Sequence, residues 1–418
     1  MAGSIHVGGF VTPGFEKVRD AFRANFESGL EEGASFAAYY RGALVVNLWG
    51  GHSDKDAGRL WKKDDVSCIW SSTKGLSAIV IAHLVDRGLL DYKEKVSTYW
   101  PEFSQHGKGD LTLEQYLSHR AGLPVYDQEK AIELLMEAPR LFGDYLASQK
   151  PLWEPGSGFG YHAVSFGLYL DQIVRRVDLK WRSLAEYFRE EIAEPFGIDI
   201  NIGLPKHLQY RAARTTNDAE AGMQLLQSMG GEEGADLLAK IFDFRLVQRI
   251  NDPEFKEMAN GSVSGFGTAE ALAKIYGILA NGGTHEGQQL LSTDTLAKIR
   301  VPLSWGKDEI FKDESSIFST GFLLFGVTED GKKPTYSFGH PGYGGQLGLA
   351  DPDYKVGLAY TTCLCRTMDG LAIHPPRIMP LYNALMQCVR EQEGHTGERT
   401  LHYFYRNLKE AGHPIAQL

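Results

Sequence analysis

The clearest periodic pattern along the chain follows Lys74, where apolar residues recur at steps of three and four. This is the spacing of an amphipathic α-helix, and Arg87-Gly88 is a typical end for one. The sequence therefore predicts a helix that begins near Ser71 and ends at Arg87. Helical spacing is also present at residues 15–26, 132–146, 165–177, 184–192, 235–250, 268–279 and 380–390, and a short helix is predicted within 111–124.

Apolar and alternating runs predict β-strands near both ends of the chain. Residues 36–40 and 43–49 flank Arg41-Gly42, which predicts a β-hairpin. In the last third, strands are predicted at 319–325, 346–350 and 355–362, separated by turns rich in Gly, Asp and Pro. A helical middle therefore lies between two pieces that each contribute strands.

The order of these elements predicts the architecture. The chain has 418 residues, of which 43% are hydrophobic and 23% charged, so it is long enough to bury a large core. No internal repeat or low-complexity linker interrupts it. We predict an α/β fold with a discontinuous α/β domain, residues 1–90 and 265–418, and an all-helical insertion domain, residues 91–264.

Charge and hydropathy exclude several kinds of partner. The formal net charge of −10 argues against a surface that binds nucleic acid or anionic membranes. No apolar run approaches the roughly 18 residues that a membrane-spanning helix needs. Residues 1–9 lack the basic and apolar regions of a secretory signal. The sequence therefore predicts a cytoplasmic protein with no membrane span and no nucleic-acid partner.

Cysteine and histidine spacing predicts neither a metal site nor a cofactor. The four cysteines are too few for a disulfide scaffold, and Cys363-x-Cys365 has no second Cys or His pair to complete a zinc site. We expect all four to be reduced. His285-Glu286 lacks the partner His of a metallohydrolase, and Asn260-Gly261-Ser262 is predicted to form a turn.

The start of the predicted helix carries the first candidate for catalysis, Ser71-Ser72-Thr73-Lys74. On a helix, residues three apart share a face, so Lys74 is placed to act as a base for Ser71. The pattern alone is weak, because Ser304-Trp305-Gly306-Lys307 also matches it in a stretch without helical period, which we interpret as a loop. A helix-capping Ser71 with a solvated lysine remains an equally simple interpretation of the octapeptide.

Four motifs in order resemble the serine β-lactamase and penicillin-binding-protein superfamily. They are Ser71-Ser72-Thr73-Lys74, Leu117-Ser118-His119-Arg120-Ala121-Gly122-Leu123-Pro124, Trp153-Glu154-Pro155-Gly156-Ser157-Gly158-Phe159-Gly160-Tyr161 and Phe338-Gly339-His340-Pro341-Gly342-Tyr343-Gly344-Gly345. The similarity is greatest to the class C-like branch, which includes D-alanyl-D-alanine carboxypeptidases, β-lactamase-fold esterases and animal β-lactamase-domain proteins. It spans roughly residues 10–389. The resemblance implies an antiparallel sheet flanked by helices, with the helical domain inserted.

The resemblance also implies roles for individual residues. Ser71 would be the acylated nucleophile and Lys74 its base, and Tyr161 would relay protons. His340 and Gly342 would lie on the strand beside the substrate, and the N–H groups of Ser71 and Tyr343 would form the oxyanion hole. Read from the residues alone, Tyr161 is also compatible with a core or surface aromatic.

One position departs from the family pattern. Where the family has Asn two residues after the tyrosine, this chain has Tyr161-His162-Ala163, and Ala163 offers no side-chain hydrogen bond. An ester needs less activation than a β-lactam or peptide, so the substitution favours an esterase. His162 would compensate in part if its side chain pointed into the site, and His340 is also compatible with a core histidine.

The sequence therefore predicts a serine hydrolase that acts through an acyl-enzyme on a small-molecule ester or amide, without a cofactor. The rival hypothesis is a non-catalytic binding or filament-forming protein with the same fold. The identity of the substrate and the oligomeric state are not readable from the sequence.

Overall fold

A computed structural model describes residues 5–126, 134, 138–217, 237–238, 240–241, 244–312, 316–366, 375–403, 405–410 and 415. Within these ranges the strands are β1 (Val7–Val11), β2 (Gly33–Tyr40), β3 (Ala43–Asp54), β4 (Arg59–Leu60), β5 (Ser67–Cys68), β6 (Ile200–Ile202), β7 (Thr216–Asn217), β8 (Gly265–Gly267), β9 (Thr284–His285), β10 (Gln288–Gln289), β11 (Leu323–Glu329), β12 (Thr335–Gly342), β13 (Gln346–Asp351), β14 (Val356–Thr362), β15 (Leu364–Cys365) and β16 (Arg399–His402).

The α-helices are α1 (Glu16–Glu27), α2 (Thr73–Asp86), α3 (Val96–Tyr99), α4 (Leu113–Leu117), α5 (Pro139–Ala147), α6 (Ser165–Val177), α7 (Leu184–Phe188), α8 (Glu194–Phe196), α9 (Phe244–Arg249), α10 (Pro253–Glu257), α11 (Ala269–Ala280), α12 (Thr293–Ile299), α13 (Met379–Gln392) and α14 (Tyr405–Glu410). Short 3-10 helices span Trp70–Ser72, Pro101–Gly107 and Lys206–Arg211, and Arg189–Ala193 is a π-helical turn. None of the helices in the described ranges is long and apolar enough to cross a membrane.

A nine-stranded sheet is the centre of the fold, with strand order β1-β3-β2-β14-β13-β12-β11-β16 and β4 paired to β3. Every pairing along this path is antiparallel. The strands from the two ends of the chain meet where β14 pairs with β2, for example Leu358 beside Ala38. The predicted mixed α/β fold with an antiparallel sheet flanked by helices is thus confirmed.

The two faces of the sheet are built from different side chains because residues alternate along a strand. On β2 and β14, Phe36, Leu358 and Tyr360 point to one face and pack with the apolar sides of α1 and α13. Ala37 and Ala359 point to the other face, where they join the larger core formed with α2 and α11. Small residues on this second face let a helix lie close to the sheet.

Helix α11 approaches the sheet most closely at a pair of glycines. An ideal Cβ added to Gly357 on β14 would lie 2.0 Å from the backbone nitrogen of Gly277 on α11. A Cβ on Gly277 would in turn meet the Tyr39 side chain at 2.8 Å. The absence of a side chain at both positions is therefore a condition for this packing.

Helix α2 is buried on all sides. Every residue from Thr73 to Leu84 is buried, because the helix lies between the sheet and the helical segment that follows it. The amphipathic pattern predicted from the sequence was wrong in this respect, although the predicted end at Arg87 and Gly88 is confirmed, with Gly88 at φ +69°.

The segment 91–264 is mainly helical, as predicted, but it is not all-helical. It also supplies β6, which pairs with β8 in a small sheet of order β5-β8-β6, and β7, which pairs in parallel with β15. Its side chains share one core with the sheet, since Tyr116 and Phe166 belong to the same cluster as Ala37. The division into an α/β domain and an insertion domain stays a prediction.

Most predicted elements are present with shifted ends. The helix at 165–177 is found as predicted, the π-helical turn Arg189–Ala193 interrupts the one predicted at 184–192, and strands β1 and β16 were not predicted. Much of the helices predicted at 132–146 and 235–250 lies outside the described residues. The second Ser-x-x-Lys, at Ser304, is a loop as predicted.

The glycine contact between α11 and β14 predicts a large effect of one methyl group. Gly357→Ala should destabilise the fold by about 1–3 kcal/mol, because the added carbon forces a helix away from the sheet. Gly109→Ala is the matched control, since its Cβ would meet only ordinary contacts at 3.6 Å. Equal urea unfolding midpoints for the two variants would contradict this account of the packing.

Candidate active site

Ser71 lies in the 3-10 turn that leads into α2. Its neighbour Trp70 has φ +46°, a conformation that costs a non-glycine residue free energy and is held by the surrounding contacts. The Thr73 hydroxyl donates to the Trp70 carbonyl at 2.5 Å and accepts from the Gly265 N–H at 2.8 Å. The turn is thereby fixed against β8.

The Lys74 amine lies beside Ser71 and is completely buried. Its Nζ is 3.2 Å from the Ser71 Oγ, 2.5 Å from the Ala163 carbonyl oxygen and 3.1 Å from the Ser262 carbonyl oxygen. Burial holds the pKa of this amine well below the usual range of lysine. The interpretation of Lys74 as a solvated lysine is therefore excluded by the structure.

The three partners fix what a neutral Lys74 does. Both carbonyl oxygens can only accept hydrogen bonds, so the two N–H groups of a neutral amine are used on Ala163 and Ser262. The nitrogen lone pair then faces Ser71, whose hydroxyl can donate to it. This is the arrangement of a base that takes the proton of a nucleophilic serine.

Tyr161 lies in the loop before α6 and is half-buried. Lys74 Nζ is 4.9 Å from the centre of its ring, and the ring stacks on that of Phe318 at 6.1 Å. Burial raises the pKa of the phenol and Asp308 adds to the rise, whereas the hydrogen bond with Ser71 opposes it. At neutral pH the phenol therefore keeps its proton and can donate it.

Strand β12 borders the same site. The Ser72 hydroxyl donates to the His340 carbonyl at 2.8 Å, and an ideal Cβ on Gly342 would lie 2.4 Å from the Ile69 carbonyl oxygen. The strand therefore lies against the segment that carries Ser71, which only glycine permits at position 342. Tyr343 follows, with its ring 5.6 Å from that of Trp70 in an edge-to-face contact.

His340 is buried beside Tyr161, with the two ring centres 6.1 Å apart. Its Nδ1 lies 2.7 Å from the Pro341 carbonyl oxygen, which requires the proton on Nδ1. Burial, together with the nearby Lys74, lowers the pKa of His340 to about 3. His340 therefore lines the site as a neutral imidazole at physiological pH.

His162 does not point into the site. Its ring is fully buried, Nδ1 donates to the Gly160 carbonyl at 2.6 Å, and Nε2 accepts from the Leu123 N–H at 2.9 Å. Both nitrogens are occupied by the main chain, so the predicted role of His162 in replacing the family asparagine has no support. The neighbouring Ala163 side chain is buried in the core, and only its carbonyl takes part, through Lys74.

Two residues that hold Tyr161 were not predicted from the sequence. The Asp308 carboxylate accepts from the Tyr161 N–H at 3.0 Å. His119, at φ +64°, accepts from the His162 N–H at 3.1 Å through Nδ1, and its ring is 5.1 Å from that of Tyr161. His119 lies in a motif that the sequence singled out without a role, whereas Asp308 carries no sequence signal.

The Ser262 carbonyl was also missed as a partner of Lys74. The segment around it was predicted only as a turn, and the turn is present, with the Asn260 side chain accepting from the Ser262 N–H at 2.8 Å. Among the described residues, no group of three His, Cys, Asp or Glu side chains could hold a metal ion.

Comparisons with known proteins identify the family of the chain. The model of the Beta-lactamase family matches residues 20–369. The curated Esterase/beta-lactamase LipL of Mycobacterium tuberculosis (strain ATCC 25618 / H37Rv) is 30% identical over 365 residues, which cover 84% of this chain and 81% of LipL.

Two solved structures are similar over almost the whole chain. A family VIII carboxylesterase superposes with a TM-score of 0.80 at 34% identity, covering 92% of this chain and 100% of that one. A penicillin-binding protein homologue from Caulobacter crescentus superposes with a TM-score of 0.77 at 32% identity, covering 91% and 99%. The chain therefore belongs to the Beta-lactamase family and is a serine hydrolase.

Proposed function

We propose that the protein is a carboxylesterase that works through an acyl-enzyme on Ser71. The observation that carries the proposal is the buried Lys74 amine, whose two carbonyl partners leave its lone pair for the Ser71 hydroxyl. A serine without such a base is a weak nucleophile. The proposed roles of Ser71, Lys74 and Tyr161 in the reaction follow from this contact.

In the first half of the reaction, the Ser71 Oγ attacks the ester carbonyl while its proton passes to the Lys74 Nζ. The C–O bond to the alcohol then breaks, and the leaving oxygen takes a proton from the Tyr161 hydroxyl or the Lys74 ammonium. In the second half, water gives a proton to this pair and attacks the acyl carbon. The bond between the acyl carbon and the Ser71 Oγ then breaks, the pair returns the proton to Oγ, and the carboxylic acid leaves.

Negative charge on the carbonyl oxygen would be held by the main-chain N–H groups of Ser71 and Tyr343. The close contact between Gly342 and Ile69 supports this role, because it brings the two segments together. Removing one such donor from other enzymes raises the reaction barrier by about 3–4 kcal/mol.

An ester is favoured over an amide or a β-lactam for two reasons. The Ala163 side chain is buried and supplies no hydrogen bond to a substrate amide. The similar family VIII carboxylesterase is named for ester hydrolysis alone, whereas the name of the curated LipL includes both esterase and beta-lactamase. The rival hypothesis of a non-catalytic binding or filament-forming protein gives no reason for a buried, uncharged lysine beside a serine.

A cytoplasmic location is also part of the proposal. Its support is that Cys68, Cys363, Cys365 and Cys388 are all free thiols and all buried. Free cysteines are common in reducing compartments, where disulfides do not persist.

Turnover and active-site labelling test the proposed nucleophile and its base. Wild type should hydrolyse p-nitrophenyl butyrate much faster than a chromogenic cephalosporin, and intact mass should show one fluorophosphonate adduct. Ser71→Ala should lose the adduct, and both Ser71→Ala and Lys74→Met should lose turnover by at least about a thousandfold, because nucleophile and base act as a unit. Lys307→Met, which replaces the exposed lysine of the second Ser-x-x-Lys, is the control and should behave as wild type. Unchanged turnover and labelling in Ser71→Ala would refute the proposal.

The pH dependence of the free energy of unfolding tests, without a substrate, whether Lys74 is neutral. Between the lowered native pKa and the usual pKa of lysine, the unfolded chain binds one more proton than the native protein. The free energy of unfolding of wild type, relative to Lys74→Met, should therefore rise with pH across this window by about 1.4 kcal/mol per pH unit. Urea unfolding of both proteins from pH 6 to 10 measures this slope. A flat difference would mean that Lys74 is charged in the native protein and that it is not the base.

A further inference from the structure

The turn that follows β12 is held by a buried arginine from a distant part of the chain. The turn is closed by a hydrogen bond from the Gly345 N–H to the Gly342 carbonyl at 3.2 Å, and Gly344 has φ +76°. The Arg377 guanidinium donates to the Gly344 carbonyl. Arg377 is 1% exposed and lies just before α13. We propose that Arg377 is a positioning residue that sets the turn, and with it the Tyr343 N–H, for the oxyanion.

Arg377 is itself fixed from several sides. Its guanidinium donates to the Leu364 carbonyl at 2.9 Å and to the Thr362 hydroxyl at 3.2 Å, and forms a fully buried ion pair with Glu31 at 2.7 Å. The Arg377 carbonyl accepts from the Asn25 side chain at 2.9 Å. A planar group held at so many points has little freedom to rotate, so its bond to the turn is well directed.

Glu31 is fixed in the same way, because both of its carboxylate oxygens accept hydrogen bonds. It accepts from the Tyr360 hydroxyl at 2.5 Å and the Thr362 hydroxyl at 2.9 Å, as well as from the N–H groups of Glu32 and Gly33. Burying an ion pair is unfavourable unless its remaining hydrogen bonds are made. This pair therefore has the geometry of a rigid support, built on β14 and the loop before β2.

The turn is also closely packed on its other sides. An ideal Cβ on Gly344 would lie 2.3 Å from the Cys365 Cα, so the turn rests on β15. On the opposite side, Gly342 rests on Ile69 and Tyr343 on Trp70. The turn is thus clamped between the segment that carries Ser71 and the support that carries Arg377. A change in the support shifts the distance between the two proposed oxyanion donors.

A matched pair of conservative variants separates positioning from stability. Arg377→Lys keeps a cation beside Glu31 but cannot reach the same set of acceptors. Arg399→Lys is the control, because the Arg399 side chain is also nearly buried and pairs with Glu329 at 2.7 Å, but on the edge strand β16 and away from the turn. Both variants should unfold at lower temperature, so kinetics are compared at a temperature where each protein is fully folded.

The inference rests on the proposed esterase mechanism and predicts a specific kinetic pattern. Arg377→Lys should lower kcat for p-nitrophenyl butyrate by about tenfold to a hundredfold, because a displaced oxyanion donor acts in the transition state. KM should change by less than about threefold, because the ester carbonyl of the ground state depends less on this donor. The affinity for an alkyl boronic acid, which forms a tetrahedral adduct with serine, should fall with kcat/KM. Arg399→Lys should leave all three quantities unchanged.

Hydrogen exchange of the peptide that contains residues 343–345 gives a readout independent of activity. Exchange should be faster in Arg377→Lys and unchanged in Arg399→Lys. If Arg377→Lys fails to fold, the double variant Glu31→Gln with Arg377→Met replaces it, since it removes the bond to Gly344 without leaving a buried unpaired charge. It should show the same loss of kcat and the same faster exchange.

The outcomes separate this inference from the proposed function. Wild type without ester turnover or boronic acid binding refutes the esterase, and the exchange experiment then decides on its own whether Arg377 sets the turn. Wild type with turnover, together with equal kcat values for Arg377→Lys and Arg399→Lys, overturns the inference and leaves the esterase standing. Unchanged exchange in Arg377→Lys overturns it as well.

Discussion

The burial of an amine between two main-chain carbonyls is the constraint on which the site depends. A charged ammonium in this place would lack the solvation that water gives it, so the protein lowers the pKa of Lys74 instead of pairing the charge with a carboxylate. The structure around Lys74 provides this burial. Helix α2 is buried on every side, the Ala163 loop covers it from one direction, and the Ser262 turn covers it from another.

The histidines of the site are uncharged as well. His340 and His162 are both buried as neutral imidazoles, each with its Nδ1 proton fixed by a main-chain carbonyl. The charged pair of Arg377 and Glu31 is placed under the turn and not in the cleft. The proposed proton transfer near Ser71 would therefore take place among neutral groups, where the movement of one proton changes the local charge greatly.

The sequence predicted the parts of this site that repeat a local pattern. Ser71 and Lys74 are three residues apart on one helical surface, so their contact follows from helix geometry, and the fold class follows from the order of helices and strands. The partners of Lys74 could not be predicted, because main-chain carbonyls leave no trace in residue identity. His162 was assigned wrongly for a related reason: its type is compatible with a ligand contact, and only packing shows that Gly160 and Leu123 use both nitrogens. The amphipathic interpretation of α2 failed because apolar spacing describes one face and does not reveal what covers the other.

The partners of Lys74 are distant along the chain, with Ala163 89 residues away and Ser262 188 residues away. Contacts of such long range require the intervening chain to be closed into loops. In a chain without these contacts, the Lys74 amine would be exposed to water and would hold its proton, so it could not act as the proposed base of Ser71. The lowered pKa of Lys74, and with it the proposed reactivity of the Ser71 hydroxyl, therefore depends on contacts between parts of the chain that are far apart in sequence.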